Sequence, residues 1–160
     1  MLRPFRPDDF EAAAAASSDP AAVWVSMMPA DDGAGVVAYY DECLRDGILV
    51  HLVIADRQHN GYLGEVMLLL GEHDVGELGC IVAPQVRGRG VAAEAFELLA
   101  RWAFDTLGVA RLQVFVAESN AAALGLAKRT AFHREGVLQA YWELDGARID
   151  VVLLARIRGR

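Results

Sequence analysis

Apolar and polar positions along the chain predict alternating strands and helices. Met1 to Arg6 reads as a strand, and Asp8 with Glu11 three residues later makes a capping box for an Ala-rich helix ending near Ser17. Between residues 18 and 35, Pro20, Pro29, Gly33 and Gly35 favour irregular backbone, after which Val36 to Asp46 predicts a second helix. Leu49 to Ala55, Tyr62 to Leu70 and Gly76 to Ala83 read as a meander of three strands, the last two parted by the turn-forming Gly71-Glu72-His73-Asp74. Val91, Ala95, Leu98 and Trp102 recur at helical spacing and Gly108 supplies a stop, which predicts a helix from Val91 to Leu107. Arg111 to Ala117 is a predicted strand, Ala121 to Thr130 a helix, and closing strands are expected near Val137 to Glu143 and Arg148 to Ile157. That order predicts one α/β domain over 1–160, a mixed sheet with helices on both faces. The strand before the Val91 helix and the strand after it should run parallel.

The segment between them carries the most chemistry. A strand delivers the chain to Pro84-Gln85-Val86-Arg87-Gly88-Arg89-Gly90, which opens the helix at Val91. Such a turn leaves convergent backbone N–H groups unpaired and the helix dipole adds positive potential, so phosphate is the natural occupant. Arg87 and Arg89 add charge there. Gly88-x-Gly90-x-x-Ala93, with Glu118 closing the next apolar segment, formally fits a dinucleotide fingerprint. Against that reading, Pro84 to Arg87 separate strand from glycine, and only one strand-helix-strand unit follows.

Composition narrows the class. With 160 residues, 54% apolar and 23% charged, the chain has the balance of a globular domain. No run of eighteen uncharged apolar residues and no basic, apolar leader stands in it, so a soluble, unexported, cytoplasmic protein is expected. Cys43 and Cys80 fall in different predicted elements and read as reduced, and Cys and His show no metal-ligand spacing. Cys80, among apolar neighbours, predicts a buried thiol rather than a nucleophile. A net charge of −7 argues against nucleic acid or an anionic membrane as a partner and suits a cationic substrate.

The loop pattern Gln85-x-x-Gly88-x-Gly90 resembles the pyrophosphate loop of the GCN5-related N-acetyltransferases. The likeness extends over Glu77 to Pro84, Ala95 and Trp102-Ala103-Phe104, then Val116 to Asn120 and Lys128 to Gly136, and resembles the branch that acetylates N-termini of ribosomal proteins. Leu2 to Asp9 also reads like that branch's first strand and turn. The resemblance implies a mostly antiparallel sheet of about six to seven strands with a central, splayed parallel pair. It implies acetyl-CoA as acyl donor, an amine as acceptor and no metal, and it leaves room for a homodimer.

Carried over residue by residue, Ile81 and Val82 would bond the pantetheine and thioester carbonyl through their backbone, and Arg87, Gly88, Arg89, Gly90, Val91 and Ala92 would hold the pyrophosphate. Asn120 would bond the pantetheine, or serve as the N-cap of the following helix. Lys128 would lie near the phosphates, or on a solvated helix face. Glu77, on the strand that carries the thioester, is the candidate base, acting through water. The N–H of Val82 would serve the oxyanion. The chain departs from the branch at Ala123, where Ser is common, and at Ala131, where Gly precedes Phe. Tyr141 is then a candidate proton donor, or a packing residue of a closing strand. Trp24, Met27 and Met28 are candidates for an acceptor pocket. A non-catalytic acyl-CoA-binding domain and a nicotinamide-dependent oxidoreductase are the rival readings.

Overall fold

The computed structural model describes residues 1–18, 32–144 and 146–159. The elements run β1 (Leu2–Arg3), α1 (Phe10–Ser17), α2 (Gly33–Arg45), β2 (Leu49–Ala55), β3 (Tyr62–Leu70), β4 (Val75–Val82), α3 (Val91–Asp105), β5 (Arg111–Ala117), α4 (Ala121–Arg129), β6 (His133–Leu144) and β7 (Ala147–Ile157). They form one seven-stranded sheet in the order β1-β2-β3-β4-β5-β7-β6. β4 and β5 are parallel and the other neighbours antiparallel, which is the expected mixed sheet with its central parallel pair.

Period-two alternation decides what each face holds. Leu78, Leu112, Val114, Val116, Val152 and Leu154 point to one side, where Phe96, Leu99, Ala103 and Phe104 of α3 and Leu126 of α4 complete the main core. The predicted helix α3 is present, and of the residues that announced it Ala95 is buried while Leu98 and Trp102 are 41% and 37% exposed. The helix buries Phe96, Leu99, Ala100 and Ala103 beside Ala95. Several apolar sets fit a 3.6-residue period in so apolar a helix, and packing against the sheet selects among them. The end of β7 is tied to this layer by Arg156, which donates to Glu97 on α3 at 2.7 Å.

The other face carries α1 and α2 over Phe5, Val36 and Val53. Beneath them lies a buried polar chain: His51 Nε2 is 2.6 Å from Glu65 Oε2, and Tyr62 donates its hydroxyl to Glu65 Oε1 at 2.5 Å. His51 stacks on Tyr40 of α2 with ring centroids 3.7 Å apart. Burial first, then the Glu65 charge, pushes the Tyr62 phenol up, so it stays a neutral donor.

At the N-terminus the expected strand shrinks to two residues, because Pro4 and Pro7 remove N–H groups that a longer ladder needs. The capping box falls two residues earlier than predicted, on Arg6 and Asp9 rather than Asp8 and Glu11. Asp9 accepts from Arg6 N–H at 2.8 Å while binding both terminal guanidinium nitrogens of Arg3 at 2.6 and 2.7 Å. Asp9 is thus used to pin the turn Pro7–Asp9 to β1. Helix α2 begins at Gly33, three residues before its predicted start, capped by Asp32, whose carboxylate accepts from Gly35 N–H at 2.7 Å. Trp24, Met27 and Met28 lie outside the described residues.

Candidate active site

The central parallel pair is joined only at its start. Val75, Gly76 and Glu77 pair with Arg111, Leu112 and Gln113, after which β4 runs on to Val82 and β5 to Ala117 with no ladder between them. The strands fork after Glu77, and β4 keeps its partner β3 on the far side through Val82. A strand edge left open in the middle of a sheet presents unpaired N–H and C=O groups, which an extended chain can satisfy as a strand would.

The loop at the mouth of the fork is held by backbone bonds. Ala83 N–H donates to Leu63 C=O at 2.9 Å, the tight turn Pro84–Val86 follows, and Arg87 Nε donates to Val82 C=O at 3.1 Å. Gly88 and Gly90 have φ of +76° and +80°, the left-handed region that costs residues with a Cβ about 1 kcal/mol or more. The first bond of α3 runs from Glu94 N–H to Gly90 C=O, leaving the N–H groups of Val91, Ala92 and Ala93 without helical acceptors.

Fork and loop open into one groove of about 450 Å³. Cys80, Ile81 and Val82 form one wall, Arg87, Gly88, Gly90, Val91 and Ala92 the end, and Asn120, Ala122, Ala123, Leu126 and Arg129 of the α4 side the other wall. Asn120 caps α4, its side-chain oxygen accepting from Ala123 N–H at 3.0 Å, and the residue also lines the groove. Both readings of Asn120 are therefore compatible. Burial pushes the Cys80 thiol up to about 12, so it stays protonated. Among the described residues that line the groove, none carries a hydroxyl or carboxyl group.

Four predicted site residues lie outside that lining. Arg89 and Lys128 are exposed, and the cation that α4 turns to the groove is Arg129, one residue on, which the three-residue spacing from Asn120, Ala123 and Leu126 could have identified. Tyr141 is 50% exposed and stacks on Phe115, with centroids 5.8 Å apart and planes 11° apart. Glu77 stands at the apex of the fork. Its side chain shares a face with Gln113 and Phe115, opposite to Cys80 and Val82, and burial raises its carboxyl above the usual carboxylate range.

The fold is an α/β sheet whose central parallel pair forks and carries a left-handed Gly turn at the mouth of the fork. The chain belongs to the acetyltransferase (GNAT) domain family, whose profile matches residues 1–133. Among curated relatives, an N-acetyltransferase 9-like protein of Caenorhabditis briggsae is 36% identical over 104 residues, 57% of this chain and 52% of that protein. The chain thus spans about half the length of that relative. Two solved structures share the fold. Spermidine N-acetyltransferase from Vibrio cholerae, in complex with CoA and spermine, has a TM-score of 0.84 at 21% identity, covering 99% of this chain and 95% of that one. Ribosomal-protein-S5-alanine acetyltransferase from Vibrio fischeri has a TM-score of 0.81 at 16% identity, covering 99% and 92%. Among the described residues no group of Cys, His, Asp and Glu is arranged to hold a metal ion, and no helix is long and apolar enough to cross a membrane.

Proposed function

We propose that this chain transfers an acetyl group from acetyl-CoA to a primary amine by direct attack within a ternary complex. The observation that carries the proposal is the fork after Glu77, an open edge between parallel strands with the phosphate-type loop at its mouth. In this reading the pyrophosphate rests on the loop from Arg87 to Ala92, with Arg89 in the solvent-facing part, and the unpaired N–H groups of α3 face its charge. The pantetheine lies along the free edge of β4 at Ile81 and Val82, with the Asn120 amide across from it. Arg129, from the groove wall, meets the coenzyme's phosphates ahead of Lys128.

The amine nitrogen attacks the thioester carbonyl carbon, the C–S bond breaks as the C–N bond forms, and the sulfur leaves as thiolate. A thiol of pKa about 8.5 leaves without a strong acid, which suits a groove whose described lining holds no hydroxyl. The proton lost by the ammonium goes to Glu77. From Glu77 to Val82 is five residues of strand, about 16 Å at ~3.3 Å each. A thioester carbonyl bonded at Val82 therefore needs a chain of waters to Glu77, whereas one drawn to the apex of the fork needs only a single water. The acceptor approaches from the face that carries Glu77, Gln113 and Phe115, opposite to the α3 and α4 side.

The bare groove walls also favour a second reading, an acyl-CoA-binding domain without turnover. Release of free thiol from acetyl-CoA with a panel of peptides and aliphatic amines tests the first. Calorimetric binding of acetyl-CoA with no amine raising thiol release above the uncatalysed rate would leave the second. Tighter binding of a nicotinamide dinucleotide than of coenzyme A would remove both.

A further inference from the structure

Beyond the groove, β6 departs from regular pairing where it passes β7. Leu138 pairs with Val151 and Trp142 with Ile149, so Gln139, Ala140 and Tyr141 stand opposite Asp150 alone. Ala140 takes φ of +51°, a conformation a non-Gly residue adopts only when its surroundings hold it. The hold is visible: the Asp150 carboxylate accepts from Ala140 N–H at 2.8 Å. A bulge of this kind re-aims the side chain beside it. Here it sends Tyr141 across β7 to lie nearly parallel on Phe115 of β5.

Phe115 is two residues, about 7 Å, beyond Gln113 on the strand edge that the fork leaves open, and on the Glu77 face. The stacked pair therefore flanks the opening on the side from which an acceptor must come. Asp150 acts in a second place as well. Its backbone carbonyl accepts from Glu118 N–H at 3.0 Å, two residues before Asn120 on the coenzyme side.

We propose that the Tyr141–Phe115 stack is the wall of the acceptor site, taking an amine borne on an aliphatic carbon chain, and that Asp150 is the positioning residue that holds the wall in register with the coenzyme groove. This rests on the transferase reading above. The ammonium sits between the Glu77 carboxylate and the ring face, where the ring quadrupole adds to the attraction, while the chain carbons lie on the rings. In this arrangement the ring of Tyr141 matters and its hydroxyl does not.

Steady-state kinetics with acetyl-CoA and the best amine of the panel test it, using Tyr141→Ala, Tyr141→Phe, Asp150→Asn and Asp150→Ala. Tyr141 is exposed, so the alanine variant is expected to fold. Its acceptor KM should rise about tenfold while the acetyl-CoA KM moves less than about twofold, the mark of lost acceptor binding rather than lost chemistry. Tyr141→Phe should recover most of that loss. Asp150→Asn, which keeps an oxygen for Ala140 N–H, should lie well below Asp150→Ala in acceptor KM. An acceptor KM unmoved in Tyr141→Ala overturns the wall, and a kcat lost equally in the alanine and phenylalanine variants assigns the hydroxyl a chemical role instead. Equal KM values for the two Asp150 variants overturn its positioning role. Absence of transfer by the unaltered protein overturns the transferase reading, and this proposal with it.

Discussion

Gly64 of β3 faces β4, the strand that carries the proposed coenzyme edge, and a methyl group added there tests whether that edge has room to move. A Cβ on Gly64 would lie 2.3 Å from the Ile81 carbonyl oxygen and 3.0 Å from Val82 Cα, at φ of +155°. Real Cβ contacts rarely fall below 3.4 Å, so β4 must retreat by about 1 Å at Ile81, and the obstacle is backbone rather than a side chain that can swing aside. Strain at such a φ costs of order 1–3 kcal/mol. One or two ladder bonds stretched between β3 and β4 add about 0.5–1.5 kcal/mol each. Gly64→Ala should therefore destabilise the fold by about 2–4 kcal/mol, a fall in Tm of roughly 5–15 °C for a chain of this size. Because Ile81 and Val82 are the residues displaced, acetyl-CoA affinity should drop about tenfold or more in the fraction that remains folded. Gly61→Ala is the control, since a Cβ there meets nothing within 4 Å. Thermal unfolding and calorimetry of both variants decide the matter. If Gly64→Ala melts with Gly61→Ala and binds acetyl-CoA as tightly, the edge of β4 is not the rigid rail that the coenzyme reading requires.

Glu77→Gln should lower kcat about a hundredfold with acetyl-CoA affinity nearly unchanged, because it removes the base and leaves the loop intact. Burial raises the Glu77 carboxyl, and only its ionised form accepts a proton, so activity should climb with pH through a midpoint above the ordinary ~4.3 and that limb should vanish in the variant; an identical pH–rate profile removes Glu77 from the chemistry. Gly90→Val places a β-branched residue at φ of +80° with no protein atom within 4 Å of its Cβ, so the cost is local strain and intrusion on the loop's concave side, and acetyl-CoA binding should weaken at least about tenfold by calorimetry; unchanged affinity in the folded variant refutes the phosphate loop. Ala123→Ser puts a hydroxyl into the half-buried groove wall with little strain, and turnover should rise if protonation of the departing thiolate limits the rate; a lower or equal kcat with coenzyme still bound shows that solvent already serves the sulfur.

The sequence by itself determined the order of elements and the phosphate-type loop, because both are local. Alternation over Leu49–Ala55, Tyr62–Leu70 and Arg111–Ala117 needs no partner to be read, and Gly88 and Gly90 are specified by the backbone conformation of a single turn. The capping oxygen of Asn120 is local in the same way, since it bonds a residue three positions on. Tertiary structure decided whatever depends on which apolar or charged residue meets another far along the chain. It chose Phe96 and Leu99 over Leu98 and Trp102 on α3, because the sheet accepts only one arc of a helix that is apolar around most of its circumference. It turned Arg129 rather than Lys128 to the groove, a difference of about 100° about the helix axis that becomes legible only once Asn120, Ala123 and Leu126 are known to line the same wall. It buried His51 against Glu65, a contact made by the register of β2 on β3. The fork after Glu77 entered the sequence reading only through family resemblance. Parting two parallel strands is a property of how their far ends are held, by β3 on one side and β7 on the other, and no local pattern in either strand encodes it.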